Sequence, residues 1–330
     1  MRLLAAAALV FCAASAQFKT SVPLVVAPTT VQDASGHFVD GLDAPDLLLY
    51  DNNVAQKVQV DWTVYPVSLV IAVQSSSNSA AVLDKLGGSG IVFSTLLAGD
   101  AGETAVVSFS DHVKRRLEFS TEPDAISHAL LGIKVDGDGG AILDGVRESL
   151  RMLSRCKADR RRIVVVIAEK RDRSSKTKLE EVIREVQRQN AVIYWLTYSP
   201  LLTAYSHRPP ARGDRETPEE KRRDSHRDEP VDAPDPAPGN LLNAFIELYH
   251  STKPNLAELF SGLTGARTVN FLRKDGLEQA IQSVGAEVHR QYILTFQPQS
   301  TDGTFHAIRA AVRNRADLQV RTRSGYWSAE

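Results

Sequence analysis

Hydrophobic and polar positions divide the chain into three regimes. Between residues 18 and 62 the runs are short and rich in β-formers. "SVPLVVAPTTVQD" and "DLLLYD" read as strands, with turns supplied by "DASGHFVDGLDAPD". In "NNVAQKVQVDWTV" the period is two: Val58, Val60 and Trp62 fall on one side, Lys57, Gln59 and Asp61 on the other. The pattern predicts a small β unit over residues 17–64.

From residue 66 the pattern changes. Val67 to Val73 is an apolar run interrupted only by Ser68, as expected of a strand buried on both faces. Ala80 to Leu97 has helical spacing, and Thr104 to Phe109 and Val113 to Phe119 read as strands. Helices follow at Glu122 to Leu131, with Thr121 as expected N-cap, and at Ala141 to Leu153. Ile163 to Ala168 predicts a central strand, Lys176 to Gln189 an amphipathic helix and "AVIYWLTY" another strand. Such βα alternation implies a mostly parallel, doubly wound sheet covered by helices, an α/β domain spanning 65–298.

Residues 207–240 interrupt it with dense mixed charge and proline, and Val231 is their only large aliphatic residue. A segment so poor in apolar groups is expected to stay disordered. Order is expected again in "LLNAFIELYHSTKPNLAELFSGLTGA", in a helix at "LEQAIQSVGAEVHR" and in a strand at "QYILTFQP". The closing residues 299–330 read as a β-hairpin that returns to the N-terminal unit, with Tyr326 and Trp327 adding aromatic burial.

Composition adds little to this picture. The 330 residues are 43% hydrophobic and 24% charged, with a formal net charge of -1, so no global field favours nucleic acid or an acidic membrane. The opening "MRLLAAAALVFCAASAQ" has the form of a secretory signal with cleavage after Ala16, which predicts export to the periplasm or beyond. No later segment has the length and apolarity of a membrane span. Cleavage would leave Cys156 as the only cysteine and exclude an intramolecular disulfide.

Several segments, taken in order, resemble the von Willebrand factor type A (VWA) family, and within it the acidobacterial VWFA-related group of exported proteins. They are "GHFVDGLDAPDLLLYDNNVAQKV", "PVSLVIAVQSSS", "GDGGAILDGVRESLRML", "RRRIVVVIAEKRDRSSK", "YILTFQP" and "RTRSGYW". The resemblance implies a Rossmann-like sheet with a ligand site beyond the strand ends. There, family members hold a divalent cation with an Asp-x-Ser-x-Ser loop, a Thr and a further Asp. Carried onto this chain, those positions fall on Val73, Ser75, Ser77, Gly140 and Glu169. Valine offers no oxygen, Gly140 only backbone, and Lys170 places a positive charge beside Glu169. Mg²⁺ wants hard oxygen ligands, carboxylates among them. The site is therefore expected to be vestigial and metal-free, with serines that cap the next helix or bond backbone. No cofactor is implied.

Other motifs have structural explanations. "DGDGG" at 136–140 lacks the later glutamate of a calcium loop, since Arg147 stands in its place. "LGGSG" at 86–90 lacks the Lys-Ser or Lys-Thr pair of a phosphate loop. Arg160 to Arg162 are expected in a solvated loop at the amino end of the sheet, and Arg212-Gly213-Asp214 falls in the charged insert. No Gly-x-Ser-x-Gly elbow is present. The resulting expectation is a protein-binding or scaffold module rather than an enzyme, with an unknown protein partner. Its alternatives are an extracytoplasmic hydrolase and an adhesion module with residual cation binding.

Overall fold

A computed structural model describes residues 24–198, 255–271, 274–300 and 302–328. The signal-like segment and the 207–240 insert lie outside the described residues. The chain opens with β1 (Val25–Gln32), β2 (Leu47–Asp51), β3 (Val54–Gln56) and β4 (Gln59–Asp61). It then enters β5 (Val67–Gln74), in which every residue is buried. The reason is the two-residue pleat. Leu69, Ile71 and Val73 enter one hydrophobic cluster while Val70 and Ala72 enter the other, so both faces must be apolar.

Around β5 are assembled β6 (Glu103–Phe109), β7 (Val113–Ser120), β8 (Arg161–Ile167), β9 (Val192–Thr197) and β10 (Thr268–Asn270). The six-stranded order is β10-β9-β8-β5-β6-β7, parallel throughout except for β7. Counted from β5 as the first strand, this is the doubly wound order 3-2-1-4-5-6, with its switch point between β5 and β8. One face carries α1 (Ala80–Leu86), α2 (Gly90–Phe93), α3 (Pro123–Leu131) and α7 (Lys274–His289). The other carries α4 (Ile142–Leu153), α5 (Leu179–Gln189) and α6 (Leu256–Thr264).

The helix expected over 80–97 is broken between α1 and α2 and ends in a π turn at Ser94–Ala98, the two arms bent by 76°. Gly90 lies so close to the backbone of Ser127 that any side chain would collide with α3. Thr121 does not cap α3; Glu122 holds the N-cap position, and its N–H donates to Ser120 Oγ at 3.1 Å.

The second unit is all β. Its two four-stranded sheets, β13 (Gln319–Thr322)-β1-β11 (Tyr292–Phe296)-β4 and β14 (Gly325–Trp327)-β12 (Phe305–Val312)-β2-β3, enclose a core that includes Val31, Leu49, Leu294 and Phe296. The strand β11 lies between β1 and β4. The α/β domain therefore ends with α7, short of the expected boundary at 298. The closing segment is not a simple hairpin. Strand β12 pairs with β2 and with β14, whereas β13 crosses to β1. Tyr326 is buried and Trp327 half-buried.

The β unit docks at the amino ends of the parallel strands, where helices end and leave carbonyls unsatisfied. Arginines meet those carbonyls. Arg162 donates to Leu153, Cys156 and Gln189, Arg161 to Val288 at 2.6 Å, and Arg323 to Gln187 at 3.0 Å. Arg160 donates to the Val67 and Ala101 carbonyls and pairs with Glu103 at 3.1 Å. The solvated loop expected at 160–162 is thus a set of carbonyl contacts, and those of Arg161 and Arg162 are favoured by the negative ends of the helices. Glu287 of α7, fully buried, adds a second tie. It lies 3.0 Å from Arg267 Nε and 2.8 Å from Arg321 Nη2 on β13. These approaches are close enough for ion pairs but too oblique for aligned hydrogen bonds. Thr30 and Tyr194 donate to its other oxygen.

Candidate functional site

Strand β5 ends at Gln74 and β8 ends just before Glu169, so the two residues face each other across the switch-point crevice. The Gln74 amide spans it. Its Oε1 accepts from the Glu169 backbone N–H at 2.9 Å, and its Nε2 donates to Glu169 Oε2 at 3.0 Å and to Ser76 Oγ at 2.9 Å. The chain of contacts continues from Ser76 to Ser79 (3.3 Å), which accepts from Tyr198 Oη at 2.7 Å. Burial pushes the Tyr198 phenol well above its usual range, so it remains a neutral donor.

The second oxygen of Glu169 is held by Arg173 Nη2 at 2.8 Å. With the Asn78 amide oriented by its hydrogen bonds, the Asn78 oxygen accepts from Arg173 Nη1 at 2.6 Å and Nη2 at 3.3 Å. The Arg173 backbone N–H donates to Gly140 O at 3.1 Å. A guanidinium is therefore seated between a nearly buried carboxylate, 9% exposed, and a neutral amide, while its own side chain is 45% exposed.

Four loops are knitted together here by backbone bonds: Ser75 N to Phe109 O, Asp136 N to Ser75 O, Ser77 N to Gly137 O and Ala141 N to Ser110 O. Asp172 reaches across to cap α4, accepting from the Ile142 and Leu143 N–H groups at 2.8 and 3.2 Å. Asp144 returns the contact by accepting from the Lys176 and Thr177 N–H groups. Gly137 and Gly139 wrap the Asp111 carboxylate so closely that a Cβ at either position would overlap it, which is why "DGDGG" carries glycine there.

The expected site residues separate into two groups. Gly140 and Glu169 lie at the crevice. Val73, Ser75 and Ser77 do not: Val73 is fully buried in the core, Ser75 Oγ bonds Phe109 O at 3.3 Å, and Ser77 is exposed. The residues that meet Glu169 are Gln74, Ser76, Asn78 and Arg173. The loop register is thus one residue later than expected, because pleat parity commits Val73 to the core and turns Gln74 toward the crevice. None of these serines forms a side-chain cap on α1. One signal for Gln74 was present in the chain: it is the first polar residue after the apolar run. Arg173 had none beyond membership of a basic loop.

The donor set does not fit a divalent cation. Gln74 has both amide atoms engaged, and Gly140 has no hydroxyl, its absent Cβ position lying 3.4 Å from Gln74 Nε2. Among the described residues Glu169 is the carboxylate that meets Gln74, and it is already neutralised by Arg173. Among the described residues no group of three His, Cys, Asp or Glu is placed to hold a metal.

No protein-family profile and no curated protein matches the chain. Solved structures show partial likeness. The conserved hypothetical protein BatB from Bacteroides thetaiotaomicron is 16% identical, with a TM-score of 0.33, 40% of this chain and 66% of that one being covered. An aerotolerance-related membrane protein from Bacteroides fragilis is 14% identical, with a TM-score of 0.41 and coverage of 67% and 99%. The vWF domain of the pilus tip protein Mfa5 from Porphyromonas gingivalis is 17% identical, with a TM-score of 0.28 and coverage of 32% and 38%. This chain therefore spans under two thirds of BatB and of the Mfa5 domain. Likeness at this level carries no argument about function. The strand order, its switch point and the four convergent loops are properties of this chain itself, and they make it a protein with a doubly wound α/β fold.

Proposed function

We propose that this is an exported VWA-type binding or scaffold module, of the acidobacterial VWFA-related kind, that engages a protein partner through its strand-end face without a metal. The observation that carries the reading is Arg173: a covalently attached cation neutralises the carboxylate that a metal would need. Export is supported by the signal-like opening of the sequence. Open α/β sheets bind ligands at the carboxyl ends of their strands, which supports the choice of face.

Binding rather than catalysis is supported by the most enzyme-like cluster. His306 Nδ1 lies 2.8 Å from Asp51, and its Nε2 lies 3.2 Å from Asp302 and 3.4 Å from Ser300 Oγ. Both ring nitrogens face carboxylates, so neither is free to take a serine proton, and Tyr326 ties Asp51 into the same lock at 2.8 Å. The test is site-specific photocrosslinking in cell-envelope extract, with the crosslinker at Ser77 or Asp138 and, as control, at Asp159 on the opposite pole. Adducts from the strand-end positions that persist in EDTA are expected. Adducts confined to the control position, or abolished by EDTA, would overturn the reading.

A further inference from the structure

The loop after β8 has a one-sided charge distribution. Lys170, Arg171, Arg173, Lys176 and Lys178 are all exposed. Its two carboxylates point inward: Glu169 to Gln74 and Arg173, and Asp172 to the α4 N–H groups and Ser175. The loop therefore projects five cations and no anion. Arg173 differs from the others in being held in place. A guanidinium held by Glu169 and Asn78 yet still 45% exposed offers a fixed positive charge to a carboxylate from outside, with little side-chain entropy left to lose.

Neighbouring loops decide what kind of anion fits. Asp111 and Asp138 are exposed beside the basic loop. A polyanion of uniform charge, such as a duplex or a bilayer surface, would meet those carboxylates as well as the cations. A protein segment with spaced acidic side chains would not. We infer that the 170–178 loop is the docking surface for an acidic protein segment, with one aspartate or glutamate carboxylate of the partner seated on Arg173. This rests on the metal-free reading above, because a bound cation at the crevice would take that carboxylate instead.

The test uses the full mature chain and a displayed library of random peptides, with anionic phosphatidylglycerol vesicles and a DNA duplex as parallel probes. The comparison variant is Glu169→Gln combined with Arg173→Gln, which removes the cation without leaving a lone carboxylate; an unchanged urea midpoint shows that it folds. Selected peptides are expected to be rich in Asp and Glu, to weaken at least about tenfold on the variant and to weaken in high salt. Peptides without acidic enrichment, equal binding to the variant, or vesicles or duplex binding more tightly than peptides would each overturn the inference. Mn²⁺ titration of the wild type separates the two failures. Tight Mn²⁺ binding sinks the metal-free reading, whereas its absence together with acid-poor peptides sinks the acidic-partner inference alone.

Discussion

Replacing Arg173 with serine and Gln74 with aspartate should convert the crevice into a cation site. A divalent ion on Glu169 Oε1 would sit at ~2.1 Å from that oxygen. Arg173 Nη2 is 2.8 Å from the same oxygen. The ion and the guanidinium would thus be no more than about 5 Å apart. At that separation a double charge and a single charge repel by about 1.7 kcal/mol in bulk water and about 7 kcal/mol at an effective dielectric of ~20. Arg173 is half-exposed, so the true value lies between these limits, and even the lower one, about 1.7 kcal/mol, is a factor of about 15 in affinity. The aspartate adds a second carboxylate on the β5 side, beside Ser76. Isothermal titration of chelator-treated protein with Mn²⁺ and Mg²⁺ should show no binding tighter than about millimolar for the wild type. The double variant should bind at least about 15-fold more tightly. Micromolar binding by the wild type, lost in Ser76→Ala, would refute the reasoning. So would a folded double variant that binds no better than its parent.

Other expectations follow from the junction and the loops. Glu287→Ala leaves Arg267 and Arg321 facing each other without a counter-charge and should cost about 3–5 kcal/mol in urea unfolding, with Glu287→Gln milder. Both units should still unfold in one transition; two transitions would mean that the junction is not a cooperative contact. Truncation after Gln297 removes β12 to β14 together with Arg321 and Arg323, so it should abolish folding of the β unit and expose the end of α5, seen as lost amide protection at Gln187–Val192. For Asp144, burial raises the carboxyl pKa, but hydrogen bonds from Thr177 and Lys176 outweigh it and hold the pKa below the ordinary value. The ionised form is thus stabilised by folding, and its contribution is intact at neutral pH and fades as pH falls below about 4. Asp144→Asn should flatten the loss of stability between neutral and acid conditions; an unchanged slope would contradict the assignment.

The sheet was legible in the sequence because a strand buried on both faces is apolar on both, and Leu69 to Val73 shows that directly. The insertion of β11 between β1 and β4 was not, because "QYILTFQP" has the same apolar signature whichever sheet receives it. At the crevice, Gly140 and Glu169 were placed by the family resemblance, whose second and third loops match this chain without a register ambiguity. The serine loop could not, since three consecutive serines match more than one register and only the strand's parity decides between them. Arg173 was invisible for a different reason. Its role depends on a turn that brings a side chain four residues beyond Glu169 back onto it, and local pattern does not encode that reversal. Arg160 to Arg162 were misjudged because charge run together suggests solvent, whereas here Arg161 and Arg162 reach helix ends and Arg160 reaches the carbonyls of Val67 and Ala101.

Strand β8 begins at Arg161, whose guanidinium donates to Gln291 at the entrance to β11 of the β unit, and ends beside the crevice. It is bonded to β5 on one side and β9 on the other. Seven residues in this conformation make a strut of about 23 Å. Tension between a bound partner and the β unit would run along the strut's axis and load both rows of hydrogen bonds together, in shear, rather than opening them one after another. A module built this way transmits pull with little stretch, a mechanical property suited to standing between two larger bodies.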